Sequence, residues 1–432
     1  MIHRAIAVLM LLLLQSPPAA AELTVQILHG LAEAVPIAIV PFGWESDSAA
    51  AWDVAATVQA DLERSGRFRA LPRGQMLEFP HQADAADLTD WRMQKVDYVV
   101  VGSLLPVAGG RFEIRYELIQ VATGERLLGS ALPADRGALL LASHRVADAI
   151  YERILGVRGA FATRIAYVAV AGPATARSYR LIVADADGAN ERVVFNSPEP
   201  IMSPAWSQDG RSIAYVSFHS GLPAIYVQTL KTGEQVRVSA RSGINSAPAW
   251  SPDGSRLAVA LSRRDGNVDI YLLSLATQEL RRLTDDPSID TEPAWSPDGR
   301  SLFFTSDRSG APQVYQRGLE SGDRPRRITF EGSYNARPRV SPDGRELAVV
   351  TLDRGSYRIA AMNLAQGSFR ILSGGRLDES PSFAPNGADI IYATREGGRG
   401  VLALVSIDGR IQQRLAASAG EVREPAWSPF LY

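Results

Sequence analysis

The chain reads as an α/β N-terminal domain followed by an all-β six-bladed β-propeller, and three observations lead there. One phrase occurs six times, about 44 residues apart: Ser203-Pro-Ala-Trp-Ser207, Ala247-Pro-Ala-Trp-Ser251, Glu292-Pro-Ala-Trp-Ser296, Arg337-Pro-Arg-Val-Ser341, Ser380-Pro-Ser-Phe-Ala384 and Glu424-Pro-Ala-Trp-Ser428. That spacing falls in the period of propeller blades. Each repeat also carries three further strand-like runs, so it holds the four strands that one blade needs. Before about residue 157 the period is absent, and helical spacing mixes with strand patterns.

Residues 1–21 read as a signal peptide. Arg4 precedes the apolar run Ala5 to Leu14, and Ala19-Ala-Ala21 supplies the small-residue ending, which places cleavage between Ala21 and Glu22. The apolar run is ten residues long, about half of the ~20 that a spanning helix needs. The sequence contains no cysteine, which excludes a lipid anchor on a mature Cys, disulfides and thiolate metal sites. Export of a mature chain with no direct membrane span is therefore expected. The 45 basic and 47 acidic residues nearly cancel, leaving no basic field for nucleic acid.

The N-terminal α/β domain is assigned to 22–157. In Glu22-Leu-Thr-Val-Gln-Ile-Leu28, Leu23, Val25 and Ile27 alternate with Thr24 and Gln26. Such a segment suits strand addition on a partner sheet, and equally suits the first strand of the domain itself. Pro36 to Val40 is a buried-strand run. Ser48 is placed to cap a helix to about Ser65, with Val54, Val58 and Leu62 at helical spacing. Val96 to Gly102 is a strand, and Arg111 to Ile119 alternates strictly, as a half-buried strand does. Arg126 to Leu128 is expected to pair with it. Gly137 to Leu155 reads as a closing helix, and Gly156 to Ala162 as a junction.

The propeller is assigned to 163–432. Ser-Pro-Asp-Gly follows three phrases, at 251–254, 296–299 and 341–344. Pro presets the turn, Asp bonds backbone locally and Gly takes the left-handed position. The Asp residues 253, 298 and 343 are therefore turn formers rather than metal ligands. Second-strand runs such as Leu257-Ala-Val-Ala260 and third-strand runs such as Asp269-Ile-Tyr-Leu272 complete each unit. The first second-strand run, Ile165 to Val168, has no phrase before it, and Trp427 has no run after it. Placing the C-terminal strand in the blade that begins at Ile165 closes the ring and removes its free edges. Trp206, Trp250 and Trp295 then pack between blades, with size deciding, since Val340 and Phe383 replace Trp.

No catalytic constellation stands out. A Gly-x-Ser-x-Gly elbow, a His-x-x-x-His pair and a phosphate loop are all missing from the sequence. His29, His81, His144 and His219 are scattered and read as surface or satisfied residues. Catalytic residues, metal ligands and cofactors are assigned to none. The propeller's inner strands line its channel, so residues just before each Pro-Ala-Trp meet at one mouth. The rim is Ser203; Ile244, Asn245, Ser246 and Ala247; Asp290, Thr291 and Glu292; Arg337; Glu379 and Ser380; and Arg423 and Glu424. Mixed polar groups of this kind suit a protein partner. An exported propeller that binds or cleaves a glycan or other small ligand is the alternative.

The chain resembles the TolB family, periplasmic propeller proteins of the Tol–Pal cell-envelope system of Gram-negative bacteria, which implies a periplasmic location. The resemblance rests on Pro36-Ile-Ala-Ile-Val-Pro-Phe42, Val99-Val-Val-Gly102, the junction Arg158 to Val168, Thr291-Glu-Pro-Ala-Trp295, Phe304-Thr-Ser-Asp307, Pro312-Gln-Val-Tyr315, Leu377-Asp-Glu-Ser-Pro381 and Pro425-Ala-Trp-Ser-Pro429. It covers the whole mature chain. The resemblance implies a non-catalytic scaffold that binds the lipoprotein Pal over one channel mouth and TolA through a mobile N-terminal strand, here 22–30. It also implies support of outer-membrane integrity and of constriction during cell division, with outer-membrane porins or lipoproteins as further candidate partners. Family members commonly carry a His on the rim where this chain has Ile244 or Asn245, whereas Thr291 and Glu292 match.

Overall fold

A run of apolar residues that must be covered on both faces sits at the centre of the N-terminal domain. In strand β1 (Val35–Ile39), Ile37 and Ile39 face one core and Ala38 the other. The computed structural model of the chain describes residues 34–431 apart from 45–49, 174, 264 and 416–419. The signal peptide, the segment Glu22 to Gly30 and Ser48 lie outside the described residues.

The remaining elements of this domain are β2 (Gly43–Trp44), α1 (Val54–Arg64), β3 (Phe68–Ala70), α2 (Leu88–Met93), β4 (Tyr98–Val107), β5 (Arg111–Gln120), β6 (Arg126–Asp135) and α3 (Leu139–Leu155). The sheet order is β3-β1-β4-β5-β6, with β2 also on β4. β1 pairs in parallel with β3 and β4, whereas β4, β5 and β6 are antiparallel. Helices α1 and α3 cover one face through Val58, Leu62, Val146 and Ile150. On the other face, Trp91 of α2 packs with Val99 and Val101.

The alternation in β5 holds: Phe112, Ile114, Tyr116 and Leu118 point into the core. Three details differ from the sequence reading. Asp53, not Ser48, caps α1, accepting the Ala56 N–H at 2.9 Å. β6 continues to Asp135, well beyond Leu128. It is an edge strand, where Pro133 and Gly129 are tolerated because one side of its backbone faces no partner strand. β3 and α2 are too short to show a period.

Residues 164–427 form six four-stranded sheets. Within each, strands one to four run from the channel outward, beginning at Ile201, Asn245, Asp290, Asn335 and Glu379 for five of them. The sixth begins with Glu421–Trp427, which pairs antiparallel with Arg164–Ala171, matching Trp427 to Ile165. The ring is thus shut by the C-terminal strand. Ile165 and Tyr167 pack with Ile391, Ala393 and Leu402 of the neighbouring blade across this closure.

The Trp residues do more than fill space. The indole N–H of Trp206 donates to the Ala426 carbonyl, that of Trp250 to Ala205, and that of Trp295 to Ala249, each at 3.0 Å. Each indole therefore bonds the inner strand of the preceding blade, at the residue just before that blade's own Trp. Trp427 donates instead to Thr163 Oγ1 at 2.8 Å and so ties the propeller to the junction. Val340 and Phe383 have no indole N–H to give, so those two blade contacts lack this bond.

The Ser-Pro-Asp-Gly turns are closed locally. Asp253 accepts the Ser251 hydroxyl at 2.5 Å and the Ser255 N–H at 3.0 Å. The Ser251 hydroxyl above all, helped by the Ser255 donors, holds the Asp253 carboxyl down at about 2. Asp298 and Asp343 are used in the same way.

Candidate functional site

Each inner strand carries a β-bulge at the residue before its Pro. There Ser203, Ala247, Glu292, Arg337, Ser380 and Glu424 adopt φ between 48° and 55°, a left-handed backbone that non-glycine residues rarely take. Such strain costs on the order of 1–3 kcal/mol per residue, and six equivalent instances make it a built feature of the channel mouth. A bulge re-aims a side chain. Here it brings together residues far apart in sequence.

Arg337 Nε lies 2.8 Å from Glu292 Oε1. Its backbone N–H donates to Glu292 Oε2 at 2.9 Å, and its Nη1 donates to Ser380 Oγ. Thr305 Oγ1 donates to the same Glu292 oxygen at 3.0 Å. Across the ring, Glu424 accepts the Ser203 N–H at 2.5 Å. Burial works against the Arg337 charge, but Glu292, Glu424 and Glu379 more than offset it and hold its pKa above the usual value. The mouth is therefore a preformed polar ring with both signs of charge. Ser246, Thr291, Glu379 and Arg423 stand half-buried beside it.

Two rim residues have a different place from the one the sequence implied. Asn245 and Asp290 are fully buried. Asn245 accepts from Ser239 Oγ at 2.7 Å and donates to the Arg241 carbonyl at 2.7 Å. Asp290 takes Arg308 Nη2 at 2.7 Å. The same repeat position holds Asn335 and Asp378, also buried and bonded into their loops. These side chains brace the loops and cannot touch a partner directly.

Bracing leaves the preceding residue facing outward. That residue is Ile244 (44% exposed), Ile289 (50%) and Leu377 (36%), with half-buried Tyr334 in the fourth blade. Met202 and Leu222 are exposed on the same face. Ile289, Tyr334 and Leu377 were missed because they lie one to three residues before the rim stretches assigned from the sequence. Their signal is an apolar residue recurring immediately before a repeated Asn or Asp.

The opposite face holds the N-terminal domain. Antiparallel order puts the Ser-Pro-Asp-Gly turns and the third-to-fourth-strand turns together at that end. From those turns Asn386 donates to the Arg158 carbonyl at 2.9 Å, and Asp408 pairs with Arg67 at 3.0 Å. Gln413 donates to the Arg64 carbonyl, and the Arg158 guanidinium lies 3.9 Å from the centre of the Phe430 ring. Asp148 of α3, almost fully buried, accepts the N–H groups of Phe161 and Ala162 and so fixes the junction.

The carboxyl of Asp389 lies at this interface. Burial pushes it up to about 6, against the pull of Arg67 and with a further push from Asp408. Asp389 therefore binds its proton more tightly folded than unfolded. Its contribution to stability is complete below about pH 4 and is lost as pH rises through about 6. Asp389→Asn is expected to raise stability at pH 7.5 by about 1–3 kcal/mol and to flatten the loss between pH 4 and 7. Urea unfolding at several pH values checks this, and an unchanged pH profile would rule Asp389 out as its source.

Family models match both parts of the chain. A model of the TolB beta propeller domain matches residues 151–431, and one of the TolB amino-terminal domain matches residues 23–127. The chain belongs to the TolB family. It is 50% identical to the Tol-Pal system protein TolB of Xanthomonas oryzae pv. oryzae (strain PXO99A) over 411 residues, covering 94% of this chain and 93% of that one. Identity is 49% to the corresponding protein of Xanthomonas campestris pv. campestris (strain B100), at the same coverage. The crystal structure of TolB from Acinetobacter baumannii superposes with a TM-score of 0.88 at 40% identity, covering 95% of this chain and all of that one. Family membership makes the chain a non-catalytic component of the Tol–Pal system. Among the described residues no helix is long and apolar enough to cross a membrane.

Proposed function

We propose that the protein is a periplasmic scaffold. It binds Pal over the bulged channel mouth and TolA through the segment Glu22 to Leu28, and so supports outer-membrane integrity and constriction at division. The observation that carries this reading is the mouth itself. A charged and hydrogen-bonded ring of Glu292, Arg337 and Ser380 is bordered by outward-facing Ile244, Ile289 and Leu377. An apolar border around oriented polar groups is the make-up of a protein-binding surface. The mouth also faces away from the N-terminal domain, so a partner can approach it freely.

The same arrangement supports communication between the two partners. β1 is the first described strand, and its Val35 N–H donates to the Arg67 carbonyl at 2.9 Å. Arg67 in turn pairs with Asp408 of the propeller. The first described strand after the proposed TolA segment thus lies one residue contact from the propeller. Coupling of this kind is reciprocal in binding free energy. Calorimetry of the purified mature protein with soluble Pal is expected to give saturable one-to-one binding and a TolA affinity that changes when Pal is present. Absence of Pal binding alongside retention of an oligosaccharide would overturn the scaffold reading.

A further inference from the structure

One buried histidine at the domain interface has half of its hydrogen bonding left over. His144 lies on α3 and is 1% exposed. Its Nδ1 is 2.6 Å from Asp61 Oδ2 of α1, and Asp61 is held in turn by Arg64 at 2.6 Å. This contact fixes the ring and puts the proton on Nδ1, which turns the Nε2 lone pair outward. Nε2 has no hydrogen-bond partner. It points across the interface to the turn after Ser178–Asp185 in the closing blade, 3.6 Å from Asp187 Oδ2, too long for a hydrogen bond.

That turn supplies a second carboxylate. Oxygens of Asp185 and Asp187 and a ring nitrogen of His144 all lie within 4.8 Å of one another. Both acids are oriented by other groups: Asn190 Nδ2 donates to Asp185 Oδ2 at 2.6 Å, and the Ala189 N–H donates to Asp187 Oδ1 at 2.9 Å. Asp187 Oδ2 remains directed at the imidazole. A lone pair facing two carboxylates in a nearly dry interface calls for a cation between them.

We propose that His144 Nε2, Asp185 and Asp187 form a divalent transition-metal site, suited to Zn²⁺, that joins the N-terminal domain to the propeller. One imidazole and two carboxylates are a zinc donor set, with room for water as a fourth ligand. Ligand distances of about 2.0–2.2 Å require the turn and α3 to close slightly around the ion. Asp61 is the outer carboxylate that orients the histidine, as metal-ligating histidines normally require. Because the ligands come from both domains, the ion fixes their relative position.

The test is calorimetric titration of chelator-treated mature protein with Zn²⁺, paired with elemental analysis and thermal unfolding. One equivalent is expected to bind and to raise the melting temperature. Asp187→Asn keeps the Ala189 hydrogen bond and removes the metal-facing charge. It is expected to weaken binding at least tenfold and to abolish the thermal shift, and Asp61→Asn to weaken binding by about 10–100-fold. Asp187 sits in a turn, so its variant tests the site even where a change at His144 prevents folding. No saturable uptake by the wild type overturns the proposal and leaves His144 as a protonated bridge between Asp61 and Asp187. Uptake with equal affinity in Asp187→Asn also overturns it, because the ion then sits elsewhere.

Discussion

Replacing Arg337 with alanine is expected to weaken Pal binding by about 2–5 kcal/mol, the usual cost of truncating one partner of a buried, hydrogen-bonded charge pair at an interface. Three contacts converge on this residue. Its guanidinium bonds Glu292 of the preceding blade and Ser380 of the following one, and its own N–H takes the second Glu292 oxygen. Alanine leaves Glu292 with a carboxylate that a docked partner would bury without its cation. It also releases the link across three blades that holds the mouth in shape. Ile289→Asp tests the apolar border separately. Ile289 is half exposed, so the fold tolerates the change, while a new charge in the contact opposes docking. Both variants are to be measured by calorimetry against soluble Pal, with thermal unfolding as a folding control. Wild-type affinity in both would place Pal elsewhere on the protein.

The architecture was legible because it repeats. Blade number, the offset between the two ends of the series and closure through Trp427 all follow from the phrase and its spacing, and the pairing of Trp427 with Ile165 has that register. What repetition could not show is which member of a repeated trio faces outward. Asn245 and Asp290 look like binding residues in the sequence because they are polar and sit at a loop end. The neighbour of Asp290, Ile289, looks like core, whereas Ile244 already reads as part of the rim. The structure buries the polar residues and exposes the apolar ones, because a loop that turns into a bulged strand has buried backbone groups to satisfy and the polar side chain is spent on them.

The Trp residues show a related limit. Substitution by Val and Phe at two phrases pointed to packing by size, yet the indole N–H bonds a carbonyl in the neighbouring blade wherever Trp206, Trp250 and Trp295 occur. In the N-terminal domain, β5 was clear from strict alternation, whereas β6 was cut short by Gly129 and Pro133, which an edge strand tolerates. His144 gave no signal at all. Its partners Asp61 and Asp187 come from another helix and another domain, so only the packed structure brings them together.

Deleting Glu22 to Gly30 is expected to abolish TolA binding while leaving Pal affinity within about twofold, since Pal is assigned to the far face. Strand addition draws affinity from main-chain hydrogen bonds and specificity from alternate side chains. Leu23, Val25 and Ile27 lie on one edge of the segment. Burying each of these is worth about 1.5–3 kcal/mol, which offsets a large share of the cost of association. The alternation supplies the sharper experiment. Val25→Asp puts a charge on the docking edge and is expected to remove detectable binding, whereas Gln26→Ala on the opposite edge is expected to leave it nearly intact. Equal losses at both positions would mean that the segment does not bind as a strand. Unchanged TolA affinity in the deletion would move the site off this segment altogether. The described strand that follows the segment reaches the propeller through two contacts, Val35 to the Arg67 carbonyl and Arg67 to Asp408, so Arg67→Ala is expected to reduce any coupling between TolA and Pal binding.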